Sequence, residues 1–217
     1  VTLISAQQPA LFPDRDCSLC PRLVEYRHAS RRSHPDWHNA PVPSFGELGA
    51  ALLIVGLAPG LKGANRTGRP FTGDAAGDLL YSTLLKYGLA NGEYRASPDD
   101  GLSLHNCRIA NAVRCVPPQN KVVAAEINAC RPFLRAEIAA MPNLKVIIAL
   151  GGIAHGAILP VFGLQKASRV FAHEACHQLP GEITLIDSYH CSRYNTNTGR
   201  LTEAMFHSVF ERSLPLI

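Results

Sequence analysis

The chain has 217 residues, 47% of them hydrophobic and 18% charged, which is enough for one buried core and predicts a single domain over residues 1–217. A formal charge of +4 permits a polyanionic partner without requiring one. No segment reaches the roughly 18 apolar residues of a membrane span, and the opening VTLISAQQPALFPDRD has no basic leader, so a cytoplasmic protein is expected.

In chain order, residues 1–50 are rich in Pro, Arg and His and read as irregular structure packed on the sheet. Four short apolar runs then read as strands: ALLIVGL from Ala51, CRIANAV from Cys107, LKVIIAL from Leu144 and EITLIDSY from Glu182. They are continuous rather than alternating, as strands covered on both faces are. Helical patterns fall between and after them, over residues 75–89, 124–141, 153–159 and 201–214. That alternation predicts an α/β fold, with a parallel sheet sandwiched between helices.

Seven cysteines in a chain of this kind argue for metal ligation over a disulfide framework. Cys17 and Cys20 form a C-x2-C pair, and Cys115 and Cys130 complete a four-thiolate set. Both zinc and a [4Fe-4S] cluster accept such a set, and spacing does not choose between them. Cys107, Cys176 and Cys191 read as small buried hydrophobes.

Ligands of open α/β sheets bind beyond the carboxyl ends of the strands. Three strand-end loops there are unusually polar: GLAPGLKGANRTGRPFTGD from Gly56, NAVRCVPPQN from Asn111 and HCSRYNTNTGR from His190. The first lacks both the G-x-G-x-x-G order of a dinucleotide site and the G-x4-G-K-[ST] order of a P-loop. In the third, Arg193 is too close to Cys191, and Arg200 too far from it, for a phosphatase cradle.

GLAPG, GANRTGRPFTGD, NAVRC with a second Cys beyond PPQNK, and HCSRYNTNTGRLT together resemble the iron-sulfur uracil-DNA glycosylases, most nearly their family 5, or B-type, branch. The resemblance runs from Cys17 almost to the C-terminus. It implies a three-layer αβα sandwich with a four-stranded, mainly parallel sheet. It also implies a [4Fe-4S] cluster on Cys17, Cys20, Cys115 and Cys130, and excision of uracil from DNA by a monomer that leaves an abasic site. A lesion-binding protein with little turnover is the alternative.

Within that resemblance Phe71 stacks the flipped base, Asn111 reads its edge, His190 donates to O2, and Asp74 stabilises the sugar cation and orients water. On local sequence alone Asp74 is a helix cap and Asn111 a turn residue. Gly56, Ala58, Pro59 and Gly60 supply close-approach backbone. Lys62, Arg66, Arg69, Arg193 and Arg200 face phosphates, while Arg193, Tyr194 and Asn195 fill the gap left in the stack.

The chain departs from the family pattern at Cys191, where Pro is usual, and at Pro70, where the B-type branch has Met. Cys191 is accordingly read as a possible reactive thiol near the site, and the base range as open to hypoxanthine and other deaminated bases. The absence of a polar residue at Ala58 or Pro59 puts the catalytic weight on Asp74, as in the B-type branch.

Overall fold

A computed structural model describes residues 10–217. The first nine residues, on which the leader reading partly rests, lie outside the described residues.

The central sheet has five strands: β1 (Leu52–Gly56), β4 (Cys107–Asn111), β5 (Val146–Leu150), β6 (Cys176–Leu179) and β7 (Ile183–Ser188), in the order β4-β1-β5-β7-β6. The first four neighbours pair in parallel, while β6 closes one edge antiparallel to β7. The four parallel strands are the four apolar runs of the sequence. β1 and β5 are buried at every position, as both covered faces require. A separate two-stranded ribbon pairs β2 (Ala90–Asn91) with β3 (Ser103–Leu104).

The helices are α1 (Pro21–Ser33), α2 (Ala64–Thr67), α3 (Ala75–Lys86), α4 (Ala124–Ala139), α5 (Gly152–Ile158), α6 (Arg193–Asn197) and α7 (Glu203–Ser213). They divide the core into two apolar layers. One face of the sheet packs Leu134 and Ile138 of α4 and Ala154 and Ile158 of α5. The other packs Leu80 and Leu84 of α3 and Phe206 and Phe210 of α7.

Two expectations are corrected. The expected count of four strands becomes five, because CHQL of β6 is an edge strand with only Leu179 fully buried and so lacks an apolar run. The N-terminal segment is not wholly irregular, since α1 occupies Pro21–Ser33. Its buried residues, Leu23, Arg27 and Ser30, follow a helical stripe that contains a single apolar side chain.

Candidate active site

The loops after β1, β4 and β7 converge on one cavity of about 520 Å³, lined by Ala58, Pro59 and Gly60, then Phe71 and Asp74, then Asn111, and finally His190 and Arg193. The register explains part of the convergence, because Gly56 at the end of β1 pairs with Asn111 at the end of β4. A Cβ at Gly56 would lie 2.5 Å from both Asn111 Oδ1 and Phe71 Cζ, so only glycine lets the two meet there.

Asn111 is 3% exposed, and its Oδ1 has no hydrogen-bond partner among the described residues. An unpaired buried acceptor costs about 1–3 kcal/mol, which a ligand N–H would recover. Phe71 is buried and adopts φ 52°, a conformation disfavoured for an aromatic residue; its ring faces that of His190 at 6.1 Å between centroids and 29° between planes. Such strain persists where surrounding structure fixes it, as at a ligand clamp.

Asp74 divides its two oxygens. Oδ1 caps α3, accepting from the backbone N–H groups of Ala76 and Gly77 at 3.1 Å each. Oδ2 lies over the bare α-carbons of Gly60 and Gly63, where a Cβ would approach it to 3.1 and 2.5 Å. The cap and the cavity carboxylate are therefore the same side chain.

Burial pushes His190 below its usual pKa, and the Asp74 charge only partly opposes this, so the imidazole is neutral at pH 7. Its main chain is held on both sides. Asn195 Nδ2 donates to the His190 carbonyl at 2.8 Å, and the Tyr189 N–H donates to His173 Nδ1 at 3.2 Å.

The other expected residues distribute unevenly. Lys62 and Arg66 are exposed on the loop after β1, and Tyr194 is exposed on α6. Arg200 is exposed and lies 4.8 Å from the Tyr189 ring centroid. Asn195 holds His190 and does not line the cavity.

Arg69 is a correction: it is 5% exposed, paired at 2.7 Å by both guanidinium nitrogens to Asp100, and enclosed by Phe45, Tyr81 and Tyr94. It braces the loop from inside and faces no phosphate. Cys191 is the small buried hydrophobe expected, and the added reading of it as a reactive thiol is corrected. The side chain is fully buried, donates to the Ala76 carbonyl at 3.5 Å, and burial pushes its thiol up to about 12, so it is an inert packing group. Cys107 is buried as expected, whereas Cys176 is exposed on the edge strand.

Sequence reasoning missed Pro117 and Asn120, which also line the cavity. The signal was the PPQN turn, whose Gln119 and Asn120 both take φ 56°.

The four expected ligand cysteines come from three places: Cys17 and Cys20 before α1, Cys115 after β4, and Cys130 within α4. Burial and one another's charge push Cys20 to about 11 and Cys115 to about 12, and burial also raises Cys130. Such thiols ionise only against a strong positive charge. Among the described residues no three of these sulfurs lie within 4.8 Å of one another. A single tetrahedral zinc ion needs sulfurs about 3.8 Å apart, whereas a larger cluster needs wider spacing.

Beside them Arg27 is 2% exposed, points Nη1 at Cys115 Sγ (3.8 Å), gives Nη2 to the Cys17 carbonyl (2.9 Å) and leaves Nε without a partner. It has no carboxylate in ion-pair range among the described residues. A buried guanidinium without a carboxylate fits a site whose loaded form is anionic.

The Uracil DNA glycosylase superfamily model matches residues 43–212. The chain is 46% identical over 199 residues to a Type-5 uracil-DNA glycosylase of Thermus thermophilus, covering 89% of this chain and 90% of the relative. It is 40% identical over 202 residues to a Type-5 uracil-DNA glycosylase of Pyrobaculum aerophilum, covering 91% and 88%. A Type-4 uracil-DNA glycosylase of the same organism is 32% identical over 182 residues, covering 83% and 78%. With the family model spanning most of the chain and these relatives nearly all of it, the chain belongs to the uracil DNA glycosylase superfamily.

Proposed function

We propose that this protein is a monofunctional DNA glycosylase: it flips uracil out of DNA, hydrolyses the N-glycosidic bond and leaves an abasic site for base excision repair. The observation that carries the reading is the convergence of Phe71, Asp74, Asn111 and His190 on one cavity, with a buried Asn111 oxygen unpaired. Flipping costs a few kcal/mol of stacking and pairing, which pocket contacts must offset. Phe71 supplies an aromatic face for the flat base. The Asn111 amide accepts from N3–H and donates to O4, a pattern that cytosine reverses.

As the bond breaks, charge accumulates on uracil O2 and on an oxocarbenium-like sugar. Neutral His190 donates a hydrogen bond to O2, assisted by backbone N–H groups of residues 58–60. Asp74 Oδ2 stabilises the sugar cation and orients the attacking water. Lys62, Arg66, Arg193 and Arg200 neutralise phosphates, and Tyr194 fills the vacated stack.

Cys17, Cys20, Cys115 and Cys130 would hold a [4Fe-4S] cluster. When bound, the cluster supplies a structural cross-link between the N-terminal segment, the loop after β4 and α4. Among the described residues no helix is long and apolar enough to cross a membrane. The reading places the protein with cellular DNA, in the cytoplasm at the bacterial nucleoid, acting as a monomer. Hypoxanthine and other deaminated bases fall within the proposed range.

The test is base release from duplexes carrying uracil, hypoxanthine or a thymine mispair, run beside binding to an abasic duplex. Uracil release with turnover supports the reading. Tight abasic binding without release of any base would replace it with the lesion binder.

A further inference from the structure

The segment between α5 and β6 contributes nothing to the cavity, yet it carries the most exposed large hydrophobic side chain among the described residues, Val170 at 79%. The next is Tyr194 at 73%, on the short helix that follows His190. One exposed Val is ordinary by itself. What distinguishes Val170 is how firmly its neighbours are held.

Immediately before it, the Arg169 carbonyl accepts from His155 Nε2 at 3.0 Å. His155 Nδ1 lies 2.7 Å from Asp187 Oδ1, and the other Asp187 oxygen lies 3.1 Å from His177 Nε2. Both nitrogens of His155 face acceptors, so it donates twice, from a site where His155 is 3% and Asp187 0% exposed. Immediately after Val170, the Phe171 ring packs against His155 (5.7 Å) and Tyr189 (6.1 Å), and against Gly152, where a Cβ would lie 3.4 Å from it. An exposed apolar tip is thus mounted on a buried, hydrogen-bonded base.

Because β6 runs antiparallel to β7, the segment that enters it lies at the carboxyl end of the parallel strands, the same end as the cavity loops. Phe71, Asp74 and Asn111 come from the β1 and β4 side of the sheet, whereas residues 163–172 lead into β6 at the other edge, are anchored to β6 and β7, and pack Phe171 on Tyr189, the residue before His190. The segment GLQKASRVFA contains Lys166 and Arg169 and no carboxylate.

We propose that residues 163–172 form a second DNA-contacting arm that grips the strand opposite the uracil. Val170 wedges against its bases, and Lys166 and Arg169 meet its phosphates. Apolar wedges of this kind hold a kinked duplex open, and a pre-ordered tip loses little entropy on binding. The arm gives the buried His155–Asp187–His177 network a purpose, which is to fix the Arg169 carbonyl. The proposal rests on the glycosylase reading and assigns it a duplex-specific part.

The test compares wild type with the triple variant Lys166→Ala, Arg169→Ala, Val170→Gly, whose changes spare the Arg169 carbonyl. Affinity and single-turnover excision are measured on a uracil-bearing duplex and on the same strand alone. Expected is about a tenfold or greater loss on the duplex, with the log–log salt slope of duplex binding reduced by about 1.8, and single-strand values unchanged. Equal losses on both substrates, or no loss on the duplex, would overturn the arm. A wild type that binds both DNAs but releases uracil from neither defeats the glycosylase reading instead, and the binding ratio still decides the arm.

Discussion

Asp74 Oδ2 faces the α-carbon of Gly63 so closely that a methyl group there would sit 2.5 Å from it, while Oδ1 of the same carboxylate caps α3. This division separates fold from chemistry by mutation. Asp74→Asn keeps a capping oxygen and removes the charge, so single-turnover uracil release should fall by roughly 10²–10³ with little change in Tm. Asp74→Ala should show the same catalytic loss and cost a further ~1 kcal/mol of stability for the lost cap. Gly63→Ala should displace Oδ2 and slow release while leaving DNA affinity intact. Near-normal release by Asp74→Asn would remove Asp74 from the chemistry.

His173 is expected to act as a positioning residue for His190. It accepts from the Tyr189 N–H at 3.2 Å, its Nε2 donates to the Met205 carbonyl at 3.1 Å, and its ring stacks on Tyr189 at 5.0 Å. His173→Phe keeps the stack and loses the acceptor, whereas His173→Asn can return an oxygen to the Nδ1 position. The Phe variant should lower kcat about tenfold at unchanged KM, the size of one lost hydrogen bond, and the Asn variant should recover most of it. Parallel loss of kcat in both variants with a matching drop in Tm would reduce His173 to a structural role.

The elements legible in the sequence are those whose burial is simple. β1, β4, β5 and β7 are covered on both faces and announced themselves as apolar runs. α1 did not, because its buried stripe of Leu23, Arg27 and Ser30 spends two positions on polar groups; Pro21 at the first turn was the available signal. The cavity residues were found through loop position and family resemblance, and Asp74 was read both as cap and as cavity carboxylate, which is how its two oxygens divide. Arg69 misled because its partner Asp100 is 31 residues away, a pairing that no local pattern encodes. Cys191 was rightly read as a small buried hydrophobe, and only the added reactive-thiol reading failed, since its burial against Ala76 of α3 is set by packing between distant elements.

Two histidines should respond to pH with opposite signs. His190 is lowered by burial, so folding stability linked to it is full above the ordinary value of about 6.5 and is lost as pH falls through the depressed folded value. For His155 burial pulls the pKa down, but the Asp187 hydrogen bond and charge outweigh it and the net shift is upward. Its contribution is complete below about 6.5 and is lost as pH rises through the folded value. Imidazole NMR titration checks both: His190 should be neutral, and His155 cationic, at pH 6.5. His190 in the imidazolium form at neutral pH would contradict its assignment as a neutral donor to O2.

Arg27 offers a test of the cysteine site that does not involve activity. Its guanidinium is buried, bonded to the Cys17 carbonyl and directed at Cys115 Sγ, with no carboxylate in ion-pair range among the described residues. A loaded site of four thiolates is anionic and offsets this cation, whereas a stripped site leaves it uncompensated, and an uncompensated buried charge costs about 3 kcal/mol or more. Arg27→Met should therefore destabilise the iron-loaded protein and lower its iron content and visible absorption. The same substitution should stabilise the protein once chelation has removed the metal. Denaturation of both forms in both variants reads the two signs directly. A substitution effect of the same sign with and without iron would show that Arg27 answers to packing alone, and stoichiometric zinc in a colourless protein would exclude the cluster.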